Sequence, residues 1–136
     1  MITLTTDRPI TVDQFIAVLR RSTLGERRPI DDRDIMTAML AHGNLLATAW
    51  DGERLIGVAR TLTDFLYIGY LSDLAVDATY QRQGIGRRLI EATRARMGPR
   101  SRLLLLAAPA ATDYYPRLGF RAQPQAWIIA HHEPLE

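Results

Sequence analysis

The segment from Ile68 to Ala107 constrains the fold of this chain more than any other part of the sequence. It contains an apolar run over 68–76, the turn QRQGIG, an amphipathic pattern over 84–97 and a second apolar run, RLLLLA, over 102–107. The continuous apolar run RLLLLA is typical of a strand buried on both faces. The order strand, helix, strand predicts a parallel crossover between the 68–76 and 102–107 strands.

The rest of the chain supplies further strands and helices around this crossover. Strands are predicted over 2–5, 44–50, 54–61, 120–122 and 126–130. Helices are predicted over 11–21, 32–42 and 112–118. Thr11 and Gln14 have the form of a capping box, Gly43 ends the second helix, and Asp51-Gly52 is a strong hairpin signal. The pattern predicts a mixed α/β (α+β) fold in a single domain over residues 1–136.

Composition excludes several kinds of chemistry. The chain has no cysteine, and its 17 basic residues are all arginine. These absences exclude disulfides, a cysteine nucleophile, Schiff-base chemistry and a P-loop lysine. The three histidines show no metal-binding spacing, so no metal is expected.

The charge and hydropathy patterns bear on partners and location. The net charge is only +2, and acidic residues are interleaved with the arginines, so no nucleic-acid partner is expected. No apolar run is long enough to span a bilayer and no signal peptide is visible. We therefore expect a cytoplasmic protein with no membrane association.

The glycine turn between the 68–76 strand and the 84–97 helix favours binding of a phosphate group. A Rossmann turn requires a third glycine where this chain has Leu89, and a Walker loop requires a lysine. A turn without side chains at a helix start exposes several N–H groups to an anion, and Arg82, Arg87 and Arg88 would add charge. The alternative is a tight strand-to-helix turn with a solvated arginine face.

Three motifs together resemble the GNAT superfamily of N-acetyltransferases. Leu74-Ala75-Val76 and the Gln81-x-x-Gly84-x-Gly86 turn are similar to its motif A, and the segment 115–120 (YPRLGF) is similar to its motif B. The resemblance implies a GNAT-type acyltransferase fold, with about four helices around a sheet that is splayed between the 68–76 and 102–107 strands. It also implies that the Gly84–Gly86 turn holds the pyrophosphate of acetyl-CoA.

The resemblance further implies direct transfer of an acetyl group from acetyl-CoA to an amine. Main-chain groups of Leu74 and Val76 would receive the pantetheine arm, and one N–H there would polarise the thioester carbonyl. The residues implied in acetyl-CoA binding are Leu74, Ala75, Val76, Gln81, Arg82, Gln83, Gly84, Ile85, Gly86 and Arg87. Tyr115 matches the tyrosine that commonly protonates the leaving thiolate in this family. Its alternative role is that of a core aromatic residue.

Asp73 is the second candidate catalytic residue. It is the only residue of the 68–76 strand that ionises at neutral pH, and a carboxylate is costly to bury without a partner. Asp73 would act as the base that deprotonates the amine, or hold a cationic acceptor. Alternatively, it is satisfied by water or arginine.

The acceptor itself is expected to be a primary amine of a small molecule or peptide. Arg27 and Arg28, in the predicted loop between the first two helices, would bind an acceptor carboxylate or nothing. The rival function is a non-catalytic acyl-CoA-binding module on the same fold. Edge strands near the C-terminus would also allow a homodimer.

Overall fold

The computed structural model describes all 136 residues, which form two compact units, residues 1–106 and 107–136. The first unit contains strands β1 (Ile2–Thr5), β2 (Leu45–Asp51), β3 (Arg54–Thr63), β4 (Ile68–Val76) and β5 (Arg102–Leu105). Its α-helices are α1 (Val12–Arg21), α2 (Arg33–His42) and α3 (Ile85–Ala95). The second unit contains α4 (Tyr114–Arg117). Short 3-10 helices lie at Leu24–Arg27, Ala78–Tyr80 and Pro109–Ala111.

The five strands form one mixed sheet in the order β1-β2-β3-β4-β5. The first three pairings are antiparallel, and β4 pairs with β5 in parallel, with α3 in the crossover between them. This arrangement confirms the mixed sheet and the parallel crossover predicted from the sequence.

The sheet opens between β4 and β5. Pairing of these strands ends at Leu71 with Leu105, although β4 continues to Val76. The register of β3 against β4 shifts at the same point, because Thr61 pairs with Leu71 and Arg60 with Asp73, which leaves Ser72 as an extra residue. Such a bulge bends a strand and increases its twist. Residues Ser72–Val76, the free half of β4, therefore have a neighbouring strand on one side only.

The helix boundaries follow from local hydrogen bonds. The Thr11 hydroxyl accepts from the N–H of Gln14, and the Gln14 side chain accepts from the N–H of Thr11, which completes the predicted capping box of α1. Gly43 ends α2 as predicted, but its φ of −80° is not left-handed. A Cβ atom at Gly43 would lie 2.6 Å from Cγ of Arg60, so glycine is required there for close packing against that side chain.

Helices cover both faces of the sheet in the first unit. On one face, α1 and α2 contribute Phe15, Val18, Leu19 and Met36 to a buried core. On the other face, Leu89 of α3 lies over Gly57 of β3. Every residue of β3 from Leu55 to Thr61 is buried, as expected for a strand covered on both sides.

The end of the chain corrects the sequence prediction. The strand predicted over 102–107 ends at Leu105, and the helix predicted over 112–118 is confined to Tyr114–Arg117. The strands predicted over 120–122 and 126–130 are not formed. A short apolar run forms a strand only where another strand pairs with it, and Trp127 and Ile128 are instead 93% and 87% exposed.

Two neighbouring residues of α2 test the core assignment. Met36 is fully buried, whereas Ile35 is 46% exposed. We expect Met36→Ala to lower the free energy of unfolding by about 2–5 kcal/mol, because it removes buried atoms and leaves a cavity. Ile35→Ala should change it by about 0.5 kcal/mol, as is usual at the surface. Urea denaturation of both variants measures the difference, and equal losses would contradict this packing of α2.

Candidate functional site

The free half of β4 presents main-chain groups along its open edge. The N–H of Asp77 donates to the carbonyl of Ile56, so the main chain at residues 73, 75 and 77 faces β3. Because main-chain directions alternate along a strand, residues 72, 74 and 76 face the open side.

Side chains already occupy two carbonyls of that open edge. Arg28 Nη2 donates to the Ser72 carbonyl at 2.8 Å, and Gln81 Nε2 donates to the Val76 carbonyl at 3.1 Å. The main-chain groups of Leu74 and the N–H of Val76 lie between these two contacts. The part of the edge that remains available to a ligand is therefore short.

The turn after β4 exposes a run of backbone donors. Six successive N–H groups, from Arg82 to Arg87, donate to no acceptor in the chain. Arg82 and Gly84 both have left-handed φ values, 63° and 77°, and Gly84 is the N-cap of α3 without a side-chain cap. Successive N–H groups in such a turn, at the positive end of a helix, form a concave site for an anion.

The three arginines of this turn differ in whether their side chains already bind another group of the protein. Arg87 pairs with Glu91 one helical turn later, and Arg88 donates to the Ile2 carbonyl at 3.4 Å. Arg82 has no hydrogen bond or ion pair. Of the three arginines singled out from the sequence, Arg82 is the one whose charge is fully available to a ligand.

Asp77 anchors the base of the turn. Its carboxylate accepts from Arg21 of α1 at 2.8 Å, from Arg54 of β3 at 3.1 Å, and from the N–H and hydroxyl of Thr79. Burial by itself raises the pKa of this carboxyl, but the bonds from Thr79, Arg54 and Arg21 outweigh it and lower the pKa to about 2. Asp77 thus fixes the start of the turn against two other elements.

Asp73 is the centre of a second buried ion cluster, at the other end of the free half of β4. Its two oxygens accept from Nε of Arg28 and Nε of Arg60, each at 2.5 Å, and its side chain is fully buried. Arg60 also donates to the Ser72 hydroxyl and to the Met39 carbonyl. Of the three interpretations of Asp73, this geometry favours a carboxylate satisfied by arginine.

The second unit contains the predicted acid, Tyr115. Its ring packs edge-on against Tyr114 and Phe120, with centroid distances of 5.1 and 5.4 Å. The Tyr115 carbonyl accepts from the N–H groups of Leu118 and Phe120, which closes the turn around Gly119 with its φ of 97°. Burial raises the pKa of the neighbouring Tyr114 hydroxyl.

All ten residues implied in acetyl-CoA binding lie in two neighbouring segments, 74–76 and 81–87. Leu74–Val76 form the end of the strand, Gln81–Gly84 form the turn, and Ile85–Arg87 form the first turn of α3. Sequence reasoning missed Asp77, Arg21, Arg54 and Arg60. The available signal was a second carboxylate four residues after Asp73, directly after the predicted strand and equally costly to bury alone.

Two structural absences complete the description. None of the helices has the length and apolar character needed to cross a lipid bilayer. No three histidine, aspartate or glutamate side chains lie close enough together to share a metal ion.

Comparisons with known proteins point to one family. Residues 27–130 match the family model described as "Acetyltransferase (GNAT) domain". The chain is 35% identical over 82 residues to "GCN5-related N-acetyltransferase 2, chloroplastic" of Arabidopsis thaliana, which covers 55% of this chain and 32% of that protein. It is 36% identical over 75 residues to "Histone acetyltransferase TAP1" of Glycine max, covering 54% and 32%. The chain thus spans about a third of the length of these plant relatives.

Solved structures share the fold over nearly the whole chain. A probable acetyltransferase from Staphylococcus aureus superposes with a TM-score of 0.75 at 22% identity, covering 98% of this chain and 100% of that one. A GNAT family protein from Streptococcus pneumoniae gives a TM-score of 0.72 at 21% identity, covering 95% and 98%. An aminoglycoside acetyltransferase from a soil metagenome, in complex with sisomicin, gives 0.67 at 22% identity, covering 99% and 97%. Identities this low show the shared fold alone.

The lowered pKa of Asp77 predicts acid sensitivity. A carboxyl whose pKa falls from 3.8 to about 2 on folding stabilises the fold above pH 4, and this stabilisation is lost as the pH falls from about 4 to about 2. We expect Asp77→Asn to lower the free energy of unfolding by about 2 kcal/mol at pH 7 and to flatten its dependence on pH between 4 and 2. Chemical denaturation at several pH values measures both effects.

Asp31→Asn is the matched control, because Asp31 is exposed and its side chain forms no ion pair or hydrogen bond. This variant should leave the acid dependence close to that of the unaltered protein. An unchanged acid dependence in Asp77→Asn would contradict the role assigned to Asp77.

Proposed function

The chain belongs to the GNAT acetyltransferase family, because the family model matches more than half of it, and from this premise we propose that it is an acetyl-CoA-dependent N-acetyltransferase acting on a primary amine. Membership implies acetyl-CoA as the acyl donor. The observation that carries the proposal is the run of six unpartnered N–H groups beside the open edge of β4.

The glycine turn fits the diphosphate of acetyl-CoA. Six unpartnered N–H groups, the start of α3 and the unengaged Arg82 supply donors and positive charge without a side chain over Gly84. In the proposal, Gln81, Gln83, Ile85, Gly86 and Arg87 complete this binding surface. The concave shape and the charge both suit an anion with several oxygens.

The open edge of β4 fits the amide-containing arm of acetyl-CoA. The free main-chain groups of Leu74 and the N–H of Val76 form an extended edge that is available for strand-like hydrogen bonds, and Ala75 between them is buried against the core. Bound acetyl-CoA supplies an acetyl thioester whose carbonyl carbon accepts the amine. A fixed N–H of this edge would stabilise the negative charge that develops on the carbonyl oxygen.

Tyr115 and Asp73 take different parts in the proposal. Tyr115 is proposed as the acid that donates its phenolic proton to the departing thiolate, on the basis of the motif in which it lies. Asp73 has both oxygens in contact with guanidinium groups and is fully buried, which supports a positioning role better than that of a base. It would hold Arg28 and Arg60 beside the free half of β4.

Binding of acetyl-CoA should depend on the backbone at Gly84. Gly84 and Gly52 both have left-handed φ values, 77° and 60°, and a Cβ atom at either would meet no atom within 4 Å. Alanine at either position should therefore cost about 1 kcal/mol of folding free energy. Only Gly84→Ala should weaken acetyl-CoA binding, by about tenfold or more, because only there does the backbone face the ligand.

Calorimetric titration measures the affinity of each variant for acetyl-CoA. Thermal unfolding of the unaltered protein tests whether acetyl-CoA is the ligand that stabilises it. Acetyl-CoA at about 100 times its dissociation constant should stabilise the unaltered protein by roughly 2.7 kcal/mol, whereas NAD should not. An equal stabilisation by ATP would mean that the turn binds anions in general and does not select acetyl-CoA. If Gly84→Ala and Gly52→Ala lost acetyl-CoA affinity equally, the glycine turn would not be the cofactor site.

Tyr115→Phe tests catalysis separately from binding. Loss of the phenolic proton should lower kcat for CoA release with an accepted amine by about 100-fold, while acetyl-CoA affinity stays the same. Tyr114→Phe is the control, since Tyr114 precedes Tyr115 in the same helix and also carries a hydroxyl. If no amine in a broad panel releases CoA from a protein that binds acetyl-CoA, the chain is the non-catalytic module instead.

A further inference from the structure

The cluster around Asp73 has a charge imbalance. One carboxylate, Asp73, lies between two guanidinium groups, Arg28 and Arg60, which leaves one positive charge without a partner. No other acidic side chain forms an ion pair with either arginine, including Asp31, Asp32 and Asp34 in the segment that follows Arg28. No second carboxylate of the protein balances this charge, and the other acceptors of the two arginines are neutral oxygens.

Solvent does little to screen this charge. The Arg60 side chain is 6% exposed and that of Arg28 is 23% exposed. The Asp77 cluster has the same one-to-two composition, but its arginines, Arg21 and Arg54, are 35% and 55% exposed and open to water. An excess charge in a poorly hydrated place interacts more strongly with an incoming anion than the same charge at the surface does.

Arg28 keeps donors that can bind such an anion. Its guanidinium is fixed by three hydrogen bonds, to Asp73, to the Ser72 carbonyl and to the Arg27 carbonyl. Five N–H bonds are available on a guanidinium, so two remain for a ligand. The contact with Ser72 places Arg28 at the open edge of β4, beside the groups proposed to receive the arm of acetyl-CoA.

We propose that Arg28, held by Asp73, binds a carboxylate of the acceptor, so that the substrate class is amines that carry a carboxylate, such as amino acids and peptides with an acidic group near the amine. This inference rests on the proposed function and specifies its acceptor. Polyamines and other polycations are disfavoured, because they would bring further positive charge to a cluster that already has an excess.

The test compares amino acids with their carboxamides as acceptors. CoA release is measured with the full chain and acetyl-CoA for a panel of amino acids, the matching amides and spermidine. The amino group of an amide is less basic and more of it is neutral, so intrinsic reactivity favours the amide. We expect at least one amino acid to exceed its amide about 10- to 100-fold in kcat/KM, the range for a charge-assisted hydrogen bond.

Arg28→Gln should abolish this preference, and Arg28→Lys should restore part of it by returning the charge without the planar fork. Arg20→Gln is the matched control, since Arg20 is an exposed arginine outside this loop and its side chain forms no hydrogen bond or ion pair. Thermal unfolding shows whether each variant folds. A preference that survives Arg28→Gln in a folded protein would overturn the proposal, as would amides or spermidine reacting as well as amino acids.

A binding experiment separates this proposal from the failure of catalysis. The protein saturated with CoA is titrated with N-acetyl amino acids and with the corresponding N-acetyl amides, using calorimetry. Tighter binding of the carboxylates by about tenfold or more, lost in Arg28→Gln, supports the carboxylate site even if no amine is acetylated. Equal binding, or no binding of the carboxylates, overturns it even if other amines react.

Discussion

The free half of β4 depends on two buried aspartates rather than on a second neighbouring strand. Asp73 lies near the start of this segment and Asp77 follows directly after its last residue, and each accepts from two arginines. These arginines come from α1, β3 and the loop before α2. A strand that loses a neighbour also loses half of its hydrogen-bonding constraints, so the ion pairs keep the segment extended while its outer edge stays open.

The same arrangement connects the open edge to the anion site. Asp77 orients the 3-10 turn that follows β4, and Gln81 returns from the glycine turn to the Val76 carbonyl. Tyr80 adds a hydrogen bond to Asp51 at the end of β2. The unpartnered N–H groups of residues 82–87 are therefore carried by a turn that is fixed at several points. A preorganised set of donors binds an anion without first ordering the loop.

Sequence reasoning was accurate where local patterns decide the structure and incomplete where distant residues do. The capping box at Thr11, the hairpin at Asp51-Gly52 and the glycine turn depend on a few adjacent residues, and the structure contains all three. The partners of Asp73 lie 13 and 45 residues away, and no periodicity predicts such contacts. The strand predicted over 126–130 was wrong for the same reason, because strand formation requires a partner that a local pattern does not supply.

The two ion clusters differ in how far water reaches their excess positive charge. At Asp77, exposed arginines let water absorb the excess charge, and the low pKa of the carboxyl shows that the group favours the folded state at neutral pH. At Asp73, the two arginines are only 6% and 23% exposed, so water screens the excess charge less than it does at Asp77. A buried, unbalanced charge next to an open strand edge is a local conflict of the kind that proteins retain at functional sites. An acceptor carboxylate would resolve it, so binding of the correct acceptor would also stabilise the fold.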